Sequence, residues 1–347
     1  MSGAFTRLPI EMWPSVDADR WANAKIGGKL FDKGGAADWR PDTASSTEKA
    51  YAVYLGWLRH RGILDPLQPM EERVSTSTIE SFVAEYQIGR APHSVAGAVR
   101  GVALMMRACN PPDGVLWLSK LAWAMTNGAR PVRPKLPRIA STDELLQLAN
   151  KLMQEGRETW KLNRKGSLIY RDGLMIACLT ARPMRLSEFM ALRLGTTLVR
   201  QEKGWLIDIP PGMTKKSRRR RQFFPDAFTA AIDFYVEHVR ATLPSQPLAV
   251  GDGFFWVGRD GPLRPTSLSN IVSCATLAGL GKRISPHLFR DCAATAIALN
   301  IPKQVGITKS VLDHATLYSS QKYYNQAKGL SASGELADVI SKMRSCK

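Results

Sequence analysis

The chain has 347 residues, long enough for two domains, with 44% hydrophobic and 8% aromatic residues. Lys and Arg number 48 against 30 Asp and Glu, a formal charge of +18 that makes a polyanion the default partner and nucleic acid the first candidate. No apolar run nears the roughly 18 residues of a bilayer span, "MSGAFTRLPIEMWP" lacks a signal peptide's apolar stretch, and five scattered cysteines (Cys109, Cys178, Cys274, Cys292, Cys346) without CxxC spacing exclude a disulfide frame or zinc site and fit a cytoplasm.

Residues 1–42, rich in Gly, Pro and Asp with Trp and Phe anchors, read as an arm that docks rather than as a domain. From Thr43 a helical pattern begins, with Tyr51, Tyr54, Leu55 and Leu58 on one face and Ser45 or Ser46 as its N-cap. Helices at about 76–88, 92–108 and 115–127 follow, making residues 43–126 a small all-helical domain. "NGARPVRPKLPRIA", with three prolines and four basic residues, is a stiff, phosphate-seeking linker over 127–140 that includes Arg133 and Lys135.

A capping box of Ser141 and Glu144 opens the second domain, 141–330. Helices are expected at about 166–180 and 185–193, then strands at Trp205–Ile209 and Arg220–Phe224 around a Pro/Gly turn. Further helices at about 225–242, 265–279, 286–299, 302–313 and 317–327 precede an amphipathic tail helix in 331–347. The fold class is mainly α with a small β-hairpin sheet, an α+β protein.

Four constellations carry chemistry. Arg185 and Glu188 lie three apart on one helix face, where a carboxylate can hold a guanidinium as a rigid fork for phosphate oxygens; an isolated pair of this kind is ordinarily a surface ion pair. His287 and Arg290 share a face at the mouth of a helix whose small apolar residues mark it as buried, where they need an anion or a carboxylate. In "TKKSRRRRQFF", Arg218, Arg219, Arg220 and Arg221 read as a DNA-backbone surface, whereas Lys215 and Lys216 sit at a hairpin turn from which an ammonium can donate a proton. In "LDHATLYSSQKYYNQA", His314 precedes Tyr323 and Tyr324, and a phenol attacks a phosphodiester only where cations surround the phosphate. On a helix the two tyrosines point about 100° apart, so both cannot face one phosphorus.

Arg–x–x–Glu, hairpin Lys, His–x–x–Arg, His and then Tyr, in this order behind a helical domain, resembles the tyrosine recombinases, the phage-integrase family. The matching segments are "MRLSEFMALRLG", "MTKKSRRRRQFFP", "SPHLFRDCAATAIA" and "LDHATLYSSQKYYNQA". The resemblance implies a catalytic domain over 141–330 and a core-binding domain over 43–126. Arg185 and Arg290 would clamp the scissile phosphate, aided by His287 and His314. Lys215 would protonate the leaving 5′-oxygen, with Glu188 in support; Lys216 is its competitor and otherwise a DNA-backbone contact. Spacing from the histidine picks Tyr323 as nucleophile, while the following Asn and Ala match the integrases whose tyrosine precedes Asn; the reading takes Tyr324, with Tyr323 as the alternative.

Departures from the family pattern are Asp313 where Leu-Gly-His is usual, and "TARPMR" where Thr-Gly-x-Arg is usual, which leaves Arg182 as a lesser competitor to Arg185. The implied protein is the integrase of a bacterial mobile element, acting as a tetramer on double-stranded attachment sites, with DNA-bending accessory proteins. It would need no metal, no ATP and no other cofactor. Rival readings are a type IB topoisomerase, which nicks and reseals without site preference, and a DNA-binding regulator with a decayed site.

Overall fold

The computed structural model describes residues 5–29, 32–109, 116–214, 217–246 and 253–300. The expected helices beyond residue 301, and the tail helix, lie outside the described residues. The chain divides into two compact units, Met1–Pro134 and Lys135–Lys347. It is mainly helical, with a three-stranded and a two-stranded antiparallel sheet.

The first unit is built on α2 (Pro41–His60) and α5 (Pro92–Cys109), with α4 (Thr76–Tyr86), α6 (Leu116–Gly128) and two short helices, α1 (Ser15–Ala24) and α3 (Met70–Arg73). α2 starts earlier than expected: its N-cap is Arg40 and Pro41 occupies the first turn, so neither Ser45 nor Ser46 caps it. The fixed φ of proline is already helical and its missing N–H is no loss there. Tyr51, Tyr54, Leu55 and Leu58 are buried, as their spacing predicts.

The N-terminal arm is docked into this unit's own core. Leu8, Trp13, Trp21, Ala24 and Ala36 pack with the α2 aromatics and with Val99, Val102 and Met106 of α5. Gly56 permits the crossing, since a Cβ there would sit 1.9 Å from the Thr6 carbonyl oxygen. A buried polar knot adds direction: Asp17 of α1 accepts from the Tyr51 hydroxyl at 2.6 Å and pairs with the guanidinium of Arg73 on α3. Leu8 N–H also donates to the Ala52 carbonyl at 2.9 Å.

The second unit opens on α7 (Thr142–Thr159), which has the expected capping box: Glu144 N–H donates to Ser141 Oγ and Ser141 N–H to Glu144 Oε2. α7 packs on α8 (Arg164–Ala181), which is fully buried from Leu174 to Leu179. The close contact needs Gly156, where a Cβ would lie 2.4 Å from Tyr170 N. The next helix, α9, is only Leu186–Met190, shorter than the expected 185–193. Beyond it the backbone bonds to another segment, with Leu194 N–H donating to the Gly253 carbonyl.

β1 (Leu198–Gln201), β2 (Gly204–Ile209) and β3 (Arg220–Phe223) form an antiparallel sheet in chain order. β1 lacks the alternation that marks a half-buried strand, which hid it in the sequence. The expected helix at 225–242 is interrupted: α10 (Thr229–Phe234) passes into a π-turn at Tyr235–Val239 and a 3₁₀ turn at Arg240–Thr242. In that stretch the Tyr235 hydroxyl and the Arg240 guanidinium donate to the Phe255 and Phe254 carbonyls, tying the irregular turns to that segment. A small ribbon of β4 (Val257–Gly258) and β5 (Gly261–Pro262), then α11 (Pro265–Leu280) and α12 (Pro286–Asn300), complete the described fold. Cys109, Cys178, Cys274 and Cys292 are free thiols.

Candidate active site in the second unit

Arg185 is the N-cap residue of α9, its own backbone extended with φ −68° and ψ 149°. One turn on, the side chain of Glu188 is only 1% exposed and its Oε1 accepts from Arg185 Nη1 at 2.9 Å. Its second oxygen accepts from Arg220 Nη1 of β3 at 2.7 Å. The pair predicted as a rigid fork is therefore formed, and it is a three-membered one.

α12 supplies the other cations. Arg290 is buried and donates from Nη1 to the Pro183 carbonyl at 2.8 Å, which ties α12 to the loop leading into Arg185. Asp291, also buried, accepts from Lys135 Nζ at 2.8 Å. His287 lies one turn before on the same helix and is exposed. Its imidazole is lowered from its ordinary value, chiefly by partial desolvation of the ring; the Asp291 carboxylate opposes this, and Lys135, Arg290 and Arg185 add to it. The Arg290–Pro183 bond brings α12 to the loop that leads into Arg185, across 107 positions of sequence.

Arg182 faces elsewhere. Its Nε donates to the Phe223 carbonyl at 2.9 Å and its Nη1 to the Ala181 carbonyl at 3.1 Å, while burial and then Arg220 lower its pKa. It fastens the end of α8 to β3.

The basic run splits along the strand. In the register of β2 with β3, Ile209 faces Arg220 and Asp208 faces Arg221. Arg219 makes a two-point contact with Asp208 at 2.7 Å for each bond, and Arg221 lies 3.9 Å from the same carboxylate. Arg219 and Arg221 are exposed, whereas the Arg220 side chain is 13% exposed. Thr214 Oγ accepts from Arg218 N–H at 3.0 Å, and its hydroxyl lies 2.7 Å from the Arg218 carbonyl, across a turn in which Ser217 has a φ of 50°. A cavity of 240 Å³ is lined by Glu188, Thr214, Gln222 and the four arginines 218–221. Arg133 is exposed.

Lys215, Lys216, His314, Tyr323 and Tyr324 lie outside the described residues. The sequence reading missed that Arg220 turns inward, that Asp208 gathers its two neighbours, and that Lys135 pairs with Asp291. Two-residue alternation along β3 is the signal that separates Arg220 from Arg219 and Arg221. The Lys135–Asp291 pairing, across 156 positions, has no local signal.

A buried guanidinium on α12, a half-buried one braced by Glu188 on α9 and a histidine one turn before Arg290 make an arrangement chemically able to receive an oxyanion. In sequence the chain is 25% identical over 278 residues to tyrosine recombinase XerD of Chlorobaculum tepidum, a match covering 78% of this chain and 81% of that protein. No protein-family model matches the chain. This similarity agrees with the motif order read from the sequence.

Proposed function

We propose that the protein is a site-specific DNA recombinase of the integrase kind, which cuts and rejoins DNA through a 3′-phosphotyrosyl link. The observation that carries this reading is the braced pair of Arg185 on Glu188 beside Arg290, with His287 one turn before Arg290 on α12. Such donors are set before substrate arrives, so they stabilise charge that develops on phosphate without reorganising.

In this reading Arg185 and Arg290 hold the non-bridging oxygens, and His287 and His314 donate hydrogen bonds to them. The Tyr324 hydroxyl loses its proton to water as its oxygen attacks phosphorus, and the P–O5′ bond breaks. The leaving oxygen takes a proton from Lys215. In the second step the 5′-hydroxyl of a partner strand attacks the phosphotyrosine, re-forming a phosphodiester and releasing the phenol. The link conserves the bond energy, so the cycle as written consumes no ATP and assigns no step to a metal. Arg133 and the exposed arginines 218, 219 and 221 supply backbone affinity. Four protomers on two duplex sites would perform the exchange, with accessory bending proteins and the 331–347 tail assisting assembly.

The test is to incubate the full-length protein with a library of nicked random-sequence duplexes and to isolate the DNA held covalently. Sequencing is expected to return a common site, and mass spectrometry a phosphorylated Tyr324 peptide. An adduct on Tyr323 would move the nucleophile one residue. Relaxation of supercoiled plasmid with no recovered site would favour a topoisomerase, and absence of any adduct would end the proposal. Replacing Arg290 by Lys should cut adduct formation by on the order of a hundredfold or more with a small change in binding.

A further inference from the structure

The four arginines 218–221 look interchangeable in sequence, but β3 presents Arg220 to the protein interior. There its Nη1 and that of Arg185 share the two oxygens of Glu188, at 2.7 and 2.9 Å. The carboxylate is 1% exposed and the Arg220 side chain 13% exposed, so solvent screens the contact little. A carboxylate buried this deeply must have both oxygens satisfied. With Arg220 on Oε2, Oε1 is left to hold Arg185, and the carboxyl group cannot rotate away from it. Arg220 is also close enough to Arg182 to lower it, so it occupies the junction of α8, α9 and β3.

We propose that Arg220 is a positioning residue for Arg185, acting through Glu188, and that it is not one of the DNA-backbone contacts. The inference rests on the recombinase reading above, in which Arg185 grips the scissile phosphate. It divides the basic run in two: Arg220 works on the rate of cleavage, whereas its neighbours work on affinity.

The experiment uses the duplex recovered from the covalent capture, so an adduct with the unaltered protein is a precondition. Failure to obtain that adduct would count against the recombinase reading and not against Arg220 in particular. With saturating protein, single-turnover cleavage is measured for Arg220→Met, Arg220→Lys, Glu188→Gln and the double variant Glu188→Gln/Arg220→Met. Duplex affinity and thermal melting are measured beside it.

The expected result for Arg220→Met is a saturated rate lower by on the order of tenfold to a hundredfold, the scale of a small misplacement of a reacting group. Affinity should change by less than about threefold, since no phosphate contact is lost. Arg220→Lys, which keeps a cation on Oε2, should recover most of the rate. The double variant should cleave no more slowly than Glu188→Gln alone, because Arg220 acts only through that carboxylate. Three results would overturn the inference: a loss of affinity with an unchanged saturated rate, losses that multiply in the double variant, or a rate loss in Arg220→Met that Arg220→Lys leaves unrecovered while both melt with the unaltered protein.

Discussion

His287 shows how the surroundings of one side chain become a measurable property. Its imidazole lies below the ordinary value of 6.5 because its ring is partly desolvated and three cations face it, with Asp291 opposing. A phosphate seated among Arg185, Arg290 and His287 adds negative charge and removes part of the cause, so the ring must rise. At a pH between the free and the bound value, binding therefore takes up a proton; well above both, it does not. Titration calorimetry of DNA binding in buffers of different ionisation enthalpy should show proton uptake growing as pH falls from 8 toward 6, and His287→Asn should abolish it. At this scale the sequence was most legible where partners lie within one helical turn. Arg185 and Glu188 could be paired from their spacing, as could His287 with Arg290. Arg220 could not, since its partner is 32 positions away and only the folded strand decides which way it points.

On β3, alternation separates two kinds of arginine, and Asp208 makes the separation testable. This carboxylate engages Arg219 and lies near Arg221, and the Arg219 contact lowers it below its usual value. It offsets positive charge on the face that would meet a DNA backbone. Replacing Asp208 by Asn should tighten non-specific duplex binding and steepen its salt dependence, read from affinity against salt concentration. An unchanged slope would place Arg219 and Arg221 away from DNA. In the first unit, α1 is held by Asp17 paired with Arg73 and bonded to Tyr51, all three buried. Removing one member strands a charge: Arg73→Met should destabilise the unit by about 3–5 kcal/mol in denaturant unfolding. The same variant should expose 5–40 to proteases.

Elements were legible where a local rule settles them. The Ser141–Glu144 capping box and the buried face of α2 come straight from spacing. α1 and the π-turn did not, because each depends on partners elsewhere: α1 on Asp17's knot with Arg73, and the π-turn on carbonyls of 254 and 255.

For the whole molecule the informative fact is where the chain divides. The break between Pro134 and Lys135 falls inside the proline-basic stretch 127–140 that composition marked as a linker. On either side the buried residues form separate clusters, one reaching no further than Ala122 and the other starting at Ala140. Arg130 and Arg133 are exposed in that interval, whereas Lys135 is tied to Asp291 and Arg138 lies in a 3₁₀ turn. A protease needs an unpaired, accessible backbone and not merely an exposed side chain. Trypsin cuts poorly before proline, and proline follows both Arg130 and Arg133. Both linker arginines are thus shielded, and Arg130→Lys would not help. Replacing Pro131 by Ala adds a tryptic site at Arg130, which has neither the Asp291 pairing of Lys135 nor the 3₁₀ turn around Arg138. The variant should then yield two fragments of about 130 and 217 residues, identified by mass, before either unit is degraded, each protected by its own core. If the variant instead breaks down through many small peptides, or resists cleavage as long as the parent does, the interval is not a linker between independently stable units.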